Sequence, residues 1–295
     1  MKPLAVDKIA WAAQIACLLE ASADKPGNVT RSKDFSDSRY EDLLVSAMAI
    51  GPAFQNAAVA SVGETIRCAV RDTQRLVGTN TNLGMVLLLA PLAKAAGKGH
   101  SQGLRAAVAQ VLNALTIKDA EMAYEAIRLA VPAGLGEVEH YDVLDEKIDI
   151  TLRDAMMLAQ DRDTVAREYI TSFENTFNLG YPTLRRHWDQ GHRLSDSIVQ
   201  TFLTILAQVP DALIARKNGL AVAEQVTQSA KKALERGGIL SAEGREEIHH
   251  FDRAVRDERH RLNPGTTADL VAAVLFVFLS DGDRLERFPE VIRRW

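Results

Sequence analysis

The sequence predicts an all-α protein, on three observations. Apolar residues recur at helical spacing in a series of segments cut by Gly, Pro and Asn. No sustained apolar/polar alternation of the kind a half-buried strand needs occurs anywhere. Two stretches, Leu83–Ala96 and Leu270–Leu279, are apolar almost all the way round, and a helix apolar on every face belongs inside a protein. The expectation is one globular domain over residues 1–295, built of roughly a dozen helices around two central apolar ones.

Taken in order, the first helix runs from Ile9 to Ala21, rich in Ala and Leu, and stops at Asp24-Lys25-Pro26-Gly27-Asn28, because Pro26 disfavours helix at Lys25. A loop continues to Phe35. A second helix starts near Ser36 or Ser38 and ends at Gly51-Pro52, and a third is expected as one piece from Ala53 to Leu76. After the apolar helix at Leu83, Gly97–Ser101 is a linker with Ser101 a candidate cap. Helices follow at Gln102–Leu115 and Lys118–Ala130, and then a glycine-rich break at 131–136 with no helix start suited to a phosphate loop. Thr151–Gln160, Asp163–Phe177, Leu194–Gln208, Leu220–Arg236 and Ala242–Leu262 complete the series, with a short apolar helix closing at Arg216-Lys217-Asn218-Gly219. No fixed-period repeat or low-complexity segment stands out.

Composition narrows the function. A hydrophobic share of 47% with 25% charged residues suits a soluble globular protein. The formal net charge of −4 excludes a broad nucleic-acid surface but leaves room for a local basic pocket. Cys17 and Cys68 lie far apart in helical segments without zinc-ligand spacing, so a reducing compartment fits. The longest apolar runs are too short to span a bilayer, and Met1–Asp7 has no signal-peptide layout. The expectation is a cytoplasmic protein acting on small molecules, with no membrane or nucleic-acid partner and homo-oligomerisation left open.

Four stretches carry candidate chemistry. Gly78-Thr79-Asn80-Thr81-Asn82-Leu83-Gly84 places four small polar residues before a buried helix. That is more than one cap needs, and it is a natural setting for an anion at a helix N-terminus. Asn263-Pro264-Gly265-Thr266-Thr267-Ala268-Asp269 repeats the pattern before the second apolar helix. Asp269 is read either as a first-turn partner of the helix dipole or as a metal or general-base carboxylate. Lys25-Pro26-Gly27-Asn28-Val29-Thr30-Arg31 can turn two cations and the backbone N–H groups of Gly27 and Asn28 toward a phosphate, or be a plain turn. Arg216 and Lys217 suit a helix C-terminus as well as they suit a ligand. Glu20, Asp34, Glu41 and Asp42 bracket the Lys25 loop, and a pair of them suits Mg²⁺ on a polyphosphate. The charged run Glu243–Arg261, with His249, His250 and His260, reads as a solvated helix face, and His187 and His192 as surface residues. GxSxG, P-loop and dinucleotide fingerprints are absent.

Taken in chain order, Lys25–Arg31 with Glu20 before it, Thr79–Gly84, Leu213–Lys217 and Asn263–Leu270 cover most of the chain and resemble the triphosphoribosyl-dephospho-CoA synthase family. The resemblance implies an all-helical transferase that moves the 5-triphosphoribosyl group of ATP to 3′-dephospho-CoA and releases adenine, in prosthetic-group biosynthesis. The chain departs from the family pattern. Asn28 and Thr30 stand where KPGLVDR has Leu and Asp, a GAHxDM segment is missing, and Asn82 and Leu83 replace the His and Lys of NTHKG. The sequence therefore resembles a divergent branch. Two further readings stay open: a related enzyme with another acceptor in one-carbon coenzyme biosynthesis, and a non-catalytic nucleotide-binding protein.

Displacement at the ribose C1′ of ATP passes through an oxocarbenium-like state and needs a base for the acceptor hydroxyl and cations for the triphosphate. The retained residues Lys25, Arg31, Asn80, Thr81 and Gly84 are those the resemblance implies for gripping a polyphosphate, and the candidate nucleotide residues on this reading are Lys25, Gly27, Asn28, Arg31, Thr79, Asn80, Thr81, Asn82, Arg216 and Lys217. Asn263 and Thr266 are the candidates for orienting its ribose or base, Glu20 and Asp34 for Mg²⁺, and Asp269, with Glu20, for catalysis.

Overall fold

A computed structural model describes residues 3–99, 102–132, 141–145, 148–257 and 259–295. The cap expected at Ser101 and the 133–136 part of the glycine-rich break lie outside these. Helices α1 (Val6–Ser22), α2 (Tyr40–Ala49), α3 (Gly51–Gln55), α4 (Val62–Val77), α5 (Leu83–Lys98), α6 (Leu104–Asn113), α7 (Ile117–Ala130), α8 (Leu152–Ala159) and α9 (Thr164–Thr171) occupy the first part. A π-helical turn, Asn175–Gly180, leads to α10 (Tyr181–Asp189), α11 (Leu194–Leu206), α12 (Ala212–Asn218), α13 (Leu220–Glu235), α14 (Ala242–Val255), α15 (Gly265–Ser280) and α16 (Phe288–Ile292). The only extended pairing among the described residues is an isolated bridge between Thr30 and Lys33. The fold is all-α, as the periodicity requires.

The chain divides into two compact units, Met1–Leu18 with Glu41–Glu174, and Leu19–Tyr40 with Asn175–Trp295. Each of the two apolar helices is the buried centre of its own unit. In the first unit, α5 buries Leu83 and Met85–Ala93 against α4, α6 and α9. Its two interruptions are accommodated locally. Pro91 has no N–H to give Leu87 O, and the buried Tyr169 hydroxyl donates to that carbonyl at 2.6 Å instead. Lys94 turns its ammonium onto the carbonyls of Ala58, Val59 and Ala60 at 2.6–3.1 Å. The Asp119 carboxylate closes a capping box with Thr116 at the start of α7 and also accepts the Gly63 N–H at 2.8 Å, tying α7 to the start of α4.

In the second unit every residue of α15 from Thr266 to Ser280 is buried except Asp269. The entry to α10 presses on this helix so closely that a Cβ on Gly180 would stand 2.3 Å from Val274 Cγ2. At α10's far end Arg294 lies 3.4 Å over the Trp188 ring and donates to Trp188 O and His192 O.

Several expected boundaries need correction. The single helix expected over Ala53–Leu76 is two, because Ser61 caps a fresh start by accepting the Glu64 N–H. Gly51-Pro52 ends α2 but opens α3, since Pro at the first helical positions has no hydrogen bond to lose. The second helix begins at Tyr40, whose N–H is held by Asp34 Oδ1 at 2.9 Å, and not at Ser36 or Ser38. The segment Asp163–Phe177 breaks at Ser172 and Phe173, both with positive φ, and α10 and α16 fall in stretches where no helix was expected. The expected Ala242–Leu262 helix stops at Val255, and α15 starts at Gly265, so Asp269 lies beyond its first turn and is not a first-turn dipole partner.

Candidate functional site

Three of the four motif stretches meet inside the second unit, around the loop 260–267 that feeds α15. The Lys25–Asn28 turn packs on this loop at Gly27, whose φ of +76° suits glycine and where a Cβ would meet Val255 Cγ2 at 2.8 Å and Pro264 Cδ at 2.9 Å. The turn is pinned by Asp252 from α14. Its Oδ1 accepts the Gly27 N–H at 2.8 Å and Arg256 Nε at 2.9 Å, and its Oδ2 pairs with Lys33. Burial pushes this carboxyl up, but the hydrogen bonds from Arg256, Lys33 and Gly27 outweigh it and hold the pKa below the ordinary 3.8. Arg256 also donates to Asn28 O at 2.7 Å.

The short helix α12 meets the same loop. Asp211 caps α12 through Leu213 N and Ile214 N at 3.0 and 3.1 Å, and its other oxygen accepts Thr267 N and Oγ1 at 2.7 and 2.8 Å. One buried carboxylate thus joins two helix starts. Leu213 N also reaches Thr266 Oγ1 at 3.1 Å, which leaves the Thr266 hydroxyl proton to donate elsewhere. At the far end Asn218 Nδ2 donates to Arg261 O at 2.8 Å. Lys217, on the last turn, reaches His260 O only at 3.5 Å, and burial holds its ammonium below the usual value. Arg216 and Lys217 are both part-exposed.

Two site expectations change. Lys25 does not aim at a ligand. Its Nζ is buried and occupied by Glu20 Oε1 at 2.9 Å, Ala23 O at 3.0 Å and Glu20 O, which uses its three donors. Glu20 is correspondingly closed off, with burial pushing its carboxyl up and Lys25 drawing it down. The backbone N–H groups expected to cradle phosphate are taken as well, Gly27's by Asp252 and Asn28's by Lys25 O. Asp34, the other expected Mg²⁺ ligand, is exposed and caps α2. No group of three or more metal-type side chains exists among the described residues, and a buried ion pair and a surface cap do not fit a resident magnesium. Arg31 is exposed on the same loop.

Two further polar features of this region are an amide pair and a carboxylate. Asn28 Nδ2 donates to Asn263 Oδ1 at 2.6 Å, while Asn28 Oδ1 is buried with no hydrogen-bond partner. Leaving such an acceptor unmet costs roughly 1–3 kcal/mol. Asp269 keeps partial exposure on a helix otherwise buried.

The fourth stretch lies in the first unit and is largely structural there. Asn80 Oδ1 accepts the Leu83 N–H at 3.2 Å, Thr81 pairs with Ser46 at 2.5 Å, and buried Asn82 donates to Thr73 Oγ1 at 3.1 Å and Ser46 O at 3.4 Å. Thr79 and Asn80 are exposed. The surplus of polar residues is accounted for by a cap plus a staple to two neighbouring helices.

Sequence reasoning missed Asp252, Arg256 and Lys33, having read Glu243–Arg261 as a solvated face. The signal was an i, i+4 Asp–Arg pair among Ile248, Phe251 and Val255, which are buried. His260 is likewise engaged, stacking on Phe35 at 3.8 Å and accepting the Ser36 N–H at 3.1 Å. His187, expected at the surface, is 7% exposed, and its ring pKa is lowered by burial, then by Arg186 and His192.

The family model for ATP:dephospho-CoA triphosphoribosyl transferase matches residues 6–288. The chain belongs to this family. It is 25% identical over 289 residues to a Pseudomonas fluorescens protein named a probable 2-(5''-triphosphoribosyl)-3'-dephosphocoenzyme-A synthase, covering 96% of this chain and 93% of that one. A Malonomonas rubra protein of the same name is 24% identical over 144 residues, 49% of this chain and 45% of that one. A Klebsiella pneumoniae 2-(5''-triphosphoribosyl)-3'-dephosphocoenzyme-A synthase is 33% identical over 99 residues, 32% of this chain and 31% of its own length. A crystal structure assigned as a triphosphoribosyl-dephospho-CoA synthase of Archaeoglobus fulgidus superposes with a TM-score of 0.63 at 27% identity, over 81% of this chain and 99% of that one. The family is a transferase family, which bears out the resemblance drawn from the four stretches. No helix among the described residues is long and apolar enough to cross a membrane.

Proposed function

We propose that this protein transfers the 5-triphosphoribosyl group of ATP to 3′-dephospho-CoA and releases adenine. The observation that carries the reading is the convergence of the Lys25–Asn28 and Leu213–Asn218 stretches on the loop that holds Asn263–Thr267, within a chain that matches the transferase family over residues 6–288. The reaction breaks the C1′–N9 bond of ATP and forms a C1′–O bond to the acceptor, whose hydroxyl proton leaves to a base while adenine gains one.

In the second unit Arg216, Lys217 and Arg31 supply positive charge for the triphosphate, replacing Lys25, whose charge is consumed by Glu20. A half-buried ammonium such as that of Lys217 acts in a lower dielectric and grips an anion more strongly than an exposed one does. Thr266 and Asn263 orient the nucleoside. Asp269 is the candidate base for the acceptor hydroxyl, being the one carboxylate on the buried α15 helix with partial exposure. Magnesium enters with ATP as part of the substrate; the Glu20–Asp34 pair does not hold it.

Incubation with ATP, Mg²⁺ and 3′-dephospho-CoA, with free adenine measured by chromatography, tests the reading. Acceptor-dependent adenine release is expected. Adenine release provoked only by a different hydroxyl acceptor assigns the chain to another acceptor, and none with any acceptor returns it to the nucleotide-binding reading.

A further inference from the structure

We propose that the Asn28–Asn263 amide pair reads the adenine edge of ATP. Asn28 Oδ1 accepts from the exocyclic amino group and Asn263 Nδ2 donates to a ring nitrogen beside it. This inference rests on the ATP reading above.

The case is one of counting donors and acceptors. Asn28 gives its backbone N–H to Lys25 O at 3.3 Å, its carbonyl takes Arg256 at 2.7 Å, and its Nδ2 reaches Asn263 Oδ1 at 2.6 Å. Its Oδ1, the side chain's one acceptor, is buried without a donor. Asn263 gives its N–H to His260 O at 3.4 Å and accepts the Gly265 N–H at 2.8 Å. Its Oδ1 is filled by Asn28, and its Nδ2 makes no hydrogen bond among the described residues. The pair therefore leaves one unmet acceptor, Asn28 Oδ1, and the amide N–H donors of Asn263 Nδ2, on two side chains joined by the bond between them.

A triphosphate cannot meet that demand, because its oxygens only accept, so the turn is not a phosphate cradle. The chemistry required is an N–H or O–H donor with an acceptor alongside. ATP offers this at the adenine amino group with its neighbouring ring nitrogens and, less well matched to two planar amides, at the ribose hydroxyls. Asn and Gln side chains pair in this way with the amino group and adjacent N7 of adenine in the DNA major groove. A donor on a ring nitrogen also stabilises the electron pair that adenine carries away as C1′–N9 breaks. A base with a carbonyl at C6 sets an acceptor against Asn28 Oδ1 and is rejected.

Titration calorimetry on the full-length wild-type, Asn28→Ala and Asn263→Ala chains tests this, with ATP, purine riboside 5′-triphosphate (hydrogen at C6), ITP, 2′-deoxy-ATP and 3′-deoxy-ATP as probes. The wild type is expected to bind the C6-hydrogen analogue and ITP about tenfold or more weaker than ATP, the cost of an unpaired buried polar group. Asn28→Ala should weaken ATP by a similar factor and no longer tell ATP from the C6-hydrogen analogue. An ATP-to-analogue ratio unchanged in Asn28→Ala overturns the assignment. So does a wild type indifferent to the amino group, or one in which loss of a ribose hydroxyl, rather than of the amino group, is what Asn28→Ala no longer senses. Should Asn28→Ala not fold, the wild-type series and the Asn263→Ala chain, expected to lose affinity for every adenine nucleotide, still decide. A wild type that binds ATP and releases adenine while failing these comparisons loses only this inference; one that binds no ATP loses the transferase reading with it.

Discussion

Asp252 Oδ1 accepts the Gly27 N–H at 2.8 Å across 225 positions of sequence, so a carboxylate on α14 sets the conformation of the turn after α1. The same carboxylate gathers Lys33 and Arg256, and Arg256 reaches on to Asn28 O. The turn that the sequence offers as a phosphate loop is thereby a rigid platform, with its N–H groups consumed and one buried side-chain oxygen left without a donor.

That arrangement has a pH signature. The folded pKa values of Asp252 and Asp119 lie below the ordinary 3.8, burial opposing and hydrogen bonds prevailing in both. A depressed carboxylate contributes stability that is complete above its unfolded pKa and is lost as pH falls through the folded one. Thermal unfolding midpoints should therefore be flat in this respect above about pH 5 and fall below about pH 4. Asp252→Asn and Asp119→Asn should each lower the neutral-pH midpoint and flatten the acid slope; an unchanged slope in both removes these carboxylates from the acid transition.

Lys25 and Glu20 form a buried pair, and removing one partner strands the other. Lys25→Ala should destabilise the fold by about 3–5 kcal/mol in denaturant titrations. Lys25→Ala with Glu20→Ala should recover part of that loss. A Lys25→Ala chain of native stability that fails only to bind ATP would restore Lys25 to the ligand.

Tyr169 stands in for the N–H that Pro91 lacks. Tyr169→Phe should cost roughly 1–3 kcal/mol by leaving Leu87 O unmet in the core, without changing the KM for either substrate. Pro91→Ala in the same chain should return stability by giving Leu87 O an intrahelical donor, and no recovery would contradict the pairing.

Asp269 is tested by kinetics. Asp269→Asn should lower kcat for acceptor-dependent adenine release by a factor of about 10²–10⁴, the usual contribution of a general base, with ATP affinity and melting temperature retained. A kcat within a factor of two or so of wild type, or a fall matched by unfolding, rules out the base role.

The helices were legible because periodicity and breakers are local. α5 and α15 announced their burial by apolar residues on every face, and α12 announced its end by Gly219. The break before Val62 was missed although Ser61 and Glu64 spell a cap, since the apolar pattern runs on across it. The site was legible as a set of stretches and not as a set of roles. Whether Lys25 faces a ligand or Glu20 depends on how the chain turns after α1, and Asp252 is unreadable as the partner of Gly27 from any window of sequence. Polar residues at 79–82 looked like ligand groups because their partners Ser46 and Thr73 come from other helices.

The central claim is ribosyl transfer, and product stoichiometry tests it most directly. With ATP and 3′-dephospho-CoA, mass spectrometry should find one adduct carrying the triphosphoribosyl group for each adenine released. ADP, AMP or pyrophosphate in place of adenine, or adenine without the adduct, would contradict it.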